Sequence, residues 1–248
     1  MVAVEAEDPY VRSLRDLGGR LPRPRAVVVV SAHWQADVPV RVTASPRPET
    51  LHDFGGFPDE LYAILYPAPG DPALAADLAR RLNDTGLPAE TDPRRGLDHG
   101  AWVPLKWIYP RADVPVVQVS LPLLPPERLV RLGRALAPLR KEGVLLVGSG
   151  GVVHNLGRLH WEDKHAPADG WAESFDRWTA DRVDALDAPA LIDYRARAPH
   201  AALAAPTTDH FDPLFAVLGA AVPGDRASTV FEGFHYGNLS LRTFLLKS

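Results

Sequence analysis

The stretch VVVVSAHW, Val27-Val28-Val29-Val30-Ser31-Ala32-His33-Trp34, decides how the rest of the chain reads. Four consecutive valines suit a strand buried on both faces, as in a parallel sheet covered by helices. His33 then falls just beyond the carboxyl end of that strand, the edge where open α/β sheets bind ligands. Two further buried runs, residues 114–121 (VPVVQVSL) and 144–147 (VLLV), repeat the pattern. The second is followed by GSGGVVHNL, so that His154 stands in the same relation to its strand as His33 does to its own.

Amphipathic helices alternate with these strands. Residues 8–17 read as a helix with Asp8 as cap, Pro9 in the first turn and Gly18-Gly19 as its stop. The segment DPALAADLARRLNDTG is capped by Asp71 and stopped at Gly86. Further helices are expected in DELYAILYP, in AWVPLKWIYP, and over 127–142, 171–186 and 211–221, with strands at 38–43, 228–231 and 239–245. Long loops are expected at 44–58 and 92–100, and long loops on compact domains are often functional. The alternation predicts an α/β fold: one domain over residues 1–248, a mostly parallel or mixed central sheet, and helices on both faces.

Composition narrows the function. With 248 residues, a net charge of −4 and no basic stripe, nothing points to nucleic acid. The apolar runs are strand-length, far short of the roughly 20 residues that span a bilayer, so no membrane partner is expected. No charged-then-apolar signal segment opens the sequence, and a cytoplasmic location is expected. The chain has no cysteine, so a metal must sit on His, Asp or Glu. Of the nine histidines, His33 and His154 follow buried strands, His52 and His99 lie in the long loops, and His210 precedes the helix at 211–221. Neutral imidazole is the commonest protein metal ligand and also a proton carrier near neutral pH, so their convergence on one sheet edge predicts both roles. Ser149 in GSGG is a lesser alternative, as a hydrolase nucleophile.

Six segments in order carry a resemblance: SAHW, LHDFGGFPDELYAILYPAPGDPALA, LDHGAWVPL, IYPRADVPVVQVSL, GSGGVVHNL and HFDPLFAVLGAA. Together they resemble the class III (LigB-type) extradiol ring-cleavage dioxygenases, in the bacterial 4,5-DOPA dioxygenase-like subgroup, over nearly the whole chain. The resemblance implies one divalent metal at the sheet edge, Fe(II) for dioxygenase activity or Zn(II), with His33 and His210 as ligands. It implies His154 as the acid/base and His52 and His99 as pocket residues. Trp34, Phe54, Phe57 and Trp102 flank these histidines and are expected to wall the pocket of a small aromatic substrate that reacts with O2. The alternatives are a zinc hydrolase on the same scaffold, or a metal- or aromatic-binding protein without turnover. One departure stands out. Family members begin with a strand leading to an H-G-x-P turn whose histidine is the first metal ligand, and the match here begins at Met1, just after that turn. Either a preceding segment supplies that ligand, or the metal is completed by His52, His99, a carboxylate such as Glu5, or water.

Overall fold

The structure, a computed structural model, describes residues 2–247. Its centre is a five-stranded sheet in the order β3-β2-β4-β1-β5. The strands are β1 (Ala26–Ala36), β2 (Val40–Thr43), β3 (Ala89–Asp92), β4 (Val116–Pro122) and β5 (Val144–Ser149). β1 lies between β4 and β5 and is parallel to both. β2 and β3 are parallel to each other, and β2 meets β4 antiparallel, so the sheet is mixed.

Helices cover both faces. α1 (Pro9–Arg20) and α4 (His99–Ile108) pack on one side with Val27 and Val29. α3 (Pro72–Asp84), α5 (Pro126–Leu136), α6 (Gly170–Asp184) and α10 (Pro213–Gly219) pack on the other with Val28 and Val30. The alternation of the valines between two apolar layers is the period-2 geometry of a strand, and it buries all four side chains. Short helices α2 (Asp59–Tyr62), α7 (Ala188–Ile192), α8 (Tyr194–Arg197) and α9 (Ala201–Ala204) sit in the connections. Two small antiparallel pairs complete the chain: β6 (Arg226–Phe231) with β9 (Thr243–Lys247), and β7 (Phe234–His235) with β8 (Leu239–Ser240). No helix among the described residues is long and apolar enough to cross a membrane.

Several local expectations are corrected. α1 does not stop at Gly18-Gly19 but runs to Arg20. Gly18 is there because α1 crosses α4 closely: a Cβ at 18 would lie 2.2 Å from the carbonyl oxygen of Ile108. β1 does not end at the valines; it continues through His33 to Ala36, while its register against β4 shifts between Val30 and Gln35. β3, AETD, carries no apolar run and is not among the expected strands; its backbone pairing to β2 makes it an edge strand. His99 is the first residue of α4 rather than a loop residue. The single strand expected at 239–245 is two. Arg242 between them turns inward, its guanidinium 2.6 Å from the buried carboxylate of Asp176.

Candidate metal centre

Four imidazoles meet around His33, in the carboxyl-terminal part of β1, beside the loop that follows β5. The rings of His33 and His99 lie 3.8 Å apart, centroid to centroid, and those of His33 and His210 lie 4.9 Å apart, edge to face. His154 stacks on His210 at 3.5 Å with only 4° between the planes. The residues come from distant parts of the chain, and the backbone that carries each is tied down. His154 N–H donates to Ala204 O at 3.0 Å, and the carbonyl of Val153 accepts from Ser240 N–H at 3.1 Å. The carbonyl of His210 accepts from Gly151 N–H at 2.8 Å.

The glycines of GSGG have a different purpose from that of a simple turn. A Cβ at Gly150 would lie 2.1 Å from the His210 carbonyl oxygen, and one at Gly148 would lie 2.6 Å from the Pro213 carbonyl oxygen. They let β5 lie directly against the segment that carries His210.

Two carboxylates lie against these rings. His210 Nδ1 donates to Asp209 Oδ2 at 2.5 Å, which leaves Nε2 as the free lone pair. A carboxylate on the far nitrogen is the usual support of a metal-ligating histidine. His99 Nδ1 lies 3.0 Å from Asp53 Oδ1, but at an angle poor for a hydrogen bond; that oxygen accepts from the His99 backbone N–H at 2.9 Å. The buried Nδ1 therefore has no hydrogen-bond partner among the described residues.

The electrostatics favour cation capture. Burial, followed by the neighbouring imidazoles, pushes the His33 pKa down to about 3. Burial and His210 push His154 down to about 4. Both rings are therefore neutral and carry lone pairs at physiological pH. Burial alone would raise the Asp53 carboxyl, but the His99 ring beside it and the hydrogen bond from the His99 backbone N–H outweigh that and hold it below the usual range. The hydrogen bond from His210 does the same for Asp209. Candidate ligand atoms of His33, Asp53 and His99 all lie within 4.8 Å of one another. Neutral imidazoles beside ionised carboxylates, with one buried nitrogen left over, fit a divalent transition metal.

A pH dependence follows. The unfolded chain takes up a proton at each of these histidines near pH 6.5, whereas the folded chain does so only near 3 at His33 and 4 at His154. Between those limits the unfolded state binds more protons, so stability falls as pH falls. The thermal midpoint of the metal-free protein should drop between pH 7 and pH 5, and His154→Gln should flatten that slope. An equal slope in the variant would show that His154 does not titrate this way.

Not every expected residue joins the group. Phe54 does, with its ring 5.5 Å from that of His99. His52 sits one shell further out: its Nε2 donates to Ile64 O at 3.0 Å, and its ring packs on Phe54 and Trp102. Phe57 and Tyr62 pack on Phe54 and are exposed, forming an aromatic wall beside His99. Trp34 is buried, and the Arg95 guanidinium covers its ring at 4.8 Å; no ring contact joins it to the four imidazoles among the described residues. Glu5 is engaged elsewhere, 2.5 Å from Lys164 Nζ. The sequence reading missed Asp53 and Asp209. The only signal for either was a neighbouring histidine in the chain.

Comparison with known proteins decides the family. Residues 8–240 match the model of the catalytic LigB subunit of aromatic ring-opening dioxygenase. The chain belongs to the LigB family. It is 42 % identical over 237 residues to the 4,5-DOPA dioxygenase extradiol of Escherichia coli K12, covering 94 % of this chain and 86 % of that protein. It is 37 % identical over 253 residues to the protein of the same name from Beta vulgaris, covering 100 % and 93 %. A crystal structure of an uncharacterized protein from Escherichia coli K12 superposes with a TM-score of 0.81 at 37 % identity, covering 96 % of this chain and 92 % of that one. This LigB-family chain is an extradiol ring-cleavage dioxygenase, an oxidoreductase of catechol-type aromatics that works with a single metal ion.

Proposed function

We propose that this chain opens the ring of a DOPA-, caffeate- or protocatechuate-like catechol with O2, and that His33 and His210 hold the metal with His154 as acid/base. The observation that carries the reading is the contact chain His99–His33–His210–His154, with Asp209 on the outer nitrogen of His210. His99 and Asp53 stand within ligand reach of His33 and are available to complete the donor set. When bound, the ion acidifies a catechol hydroxyl and, as Fe(II), can also pass electron density to O2.

The remaining work falls to the chain's own groups. His154, neutral in the resting site, can accept the proton of the second catechol hydroxyl at a ring nitrogen and return it as the ring opens. Phe54, Phe57 and Tyr62 offer ring faces and edges to the aromatic substrate and exclude water on that side. His99, against both Phe54 and His33, lies where this wall meets the donor set.

Loading with different metals tests the reading. Protein reconstituted anaerobically with Fe(II) should consume O2 and form a visible-absorbing ring-opened semialdehyde from at least one of a panel of catechols. The Zn(II) form should bind catechols without O2 uptake, because zinc has no redox chemistry. Ester or amide turnover by the zinc form that is indifferent to O2, with no ring opening by the Fe(II) form, would replace the proposal with a hydrolase. Tight catechol binding without turnover by either form would leave only a binding protein.

A further inference from the structure

The strand that carries His33 leaves its ladder with β4 at that point, since the register of β1 against β4 shifts between Val30 and Gln35. A different set of bonds must hold the backbone in the gap. The N–H of His33 donates to Ser31 Oγ at 3.2 Å, and the Ser31 hydroxyl donates to Asp98 Oδ1 at 2.9 Å. The same oxygen accepts from Ala101 N–H at 3.1 Å and so caps α4, the helix whose first residue is His99. Asp98 Oδ2 accepts from Gln118 Nε2 of β4 at 2.5 Å, and Arg95 Nη2 lies 3.5 Å from it. Ser31, Asp98 and Gln118 are all fully buried. The packing around the link is close: a Cβ at Gly100 would lie 2.3 Å from Ser31 Oγ and 2.9 Å from His33 Cδ2.

We propose that Asp98 is a positioning residue that joins β1, β4 and the start of α4 through one buried carboxylate, and so sets the separation of His33 and His99. The inference rests on the reading of these histidines as a metal centre. A helix cap alone does not need a carboxylate here, because Ser, Thr or Asn caps about as well. A buried carboxylate is costly unless every acceptor site is filled, and this one is met from three elements. Its donor polarity is also fixed. Gln118 Oε1 accepts the backbone N–H of Asp98 at 3.1 Å, so the Gln118 amide must present its NH2 to the side chain at 98. That side chain has to be an acceptor on both oxygens.

This polarity supplies a specific test. Asp98→Asn has the same shape and keeps the Ser31 and Ala101 bonds, but sets one NH2 against another at Gln118. Adding Gln118→Glu restores a donor–acceptor pair and the original net charge. In the whole chain of residues 1–248, Co(II) and Zn(II) affinities are read by chelator competition, the Co(II) absorption spectrum reports the donor geometry, and far-UV circular dichroism reports folding. D98N should bind about 10- to 100-fold more weakly, the range seen when support of a metal ligand is lost, with an altered Co(II) spectrum and retained secondary structure. D98N/Q118E should recover most of the affinity and the original spectrum. Folded D98N binding within about twofold of the unmodified chain, below that range, would overturn the inference, as would a folded double variant with no recovery. Should D98N not fold, Ser31→Ala removes the hydroxyl that links the His33 N–H to Asp98 and leaves the Ala101 and Gln118 bonds to that carboxylate; weaker metal binding is expected there, and unchanged binding overturns the inference. A chain that takes up no metal even unmodified overturns the proposed function and this inference together, whereas unchanged affinity in the variants overturns this one alone.

Discussion

Replacing His154 by Gln should lower kcat for ring opening by about 10²- to 10⁴-fold, the usual contribution of a positioned acid/base, while the protein keeps its metal. Gln retains polarity and much of the volume against which His210 packs, but it does not exchange a proton near neutral pH. Because Asp209 still holds the Nδ1 of His210 and Gln still fills the space against its ring, the substitution should spare the donor set. The rate is read from O2 uptake and from absorbance of the ring-opened product, and the metal content from elemental analysis of the same sample. KM should change little if the aromatic wall at Phe54, Phe57 and Tyr62 supplies most of the substrate contact. Loss of metal in step with loss of rate would show instead that His154 holds the ion and that another group moves the proton.

The sheet was legible in the sequence because burial on both faces leaves a mark that composition alone carries. Val27 to Val30 and the run at 114–121 each became a buried inner strand, whereas the run at 144–147 became the half-buried edge strand β5. β3 was not legible because AETD has neither an apolar run nor an alternation; only its backbone pairing to β2 makes it a strand. His33 and His154 stood out by following apolar strand runs, His99 by its loop and His210 by preceding a helix, and ring contacts do join these four. Their carboxylate partners stayed hidden. Asp53 is 46 positions from the residue it meets, and nothing in HDFGG says which distant ring its carboxylate will face. Asp209 is adjacent to His210, yet adjacency alone does not turn a side chain back onto its neighbour's Nδ1.

Glycines 150 and 151 are neighbours of identical composition, and their replacement by Ala should have opposite signs. Neither has a positive φ, so neither is required for backbone conformation. At Gly150 an added Cβ would lie 2.1 Å from the His210 carbonyl oxygen and 3.0 Å from its carbon. Both are backbone atoms that cannot rotate aside, so the turn carrying His210 must move. Overpacking of this kind costs about 1–3 kcal/mol, and each kcal/mol lowers the midpoint of a chain of this size by about 2–4 °C. Because the displaced residue is His210 itself, G150A should also lose at least about tenfold in metal affinity, as when a ligand loses its support. At Gly151 the nearest atom to an added Cβ is the Val153 carbonyl oxygen at 3.5 Å, an ordinary contact. Ala there should be neutral, or stabilising by up to about 1 kcal/mol through a less flexible unfolded chain, with unchanged metal binding. Thermal scans and chelator competition on the two single variants decide the matter. Equal losses in both would mean that the GSGG segment acts as a flexible turn, and that the close approach of β5 to His210 is not what sets the donor geometry.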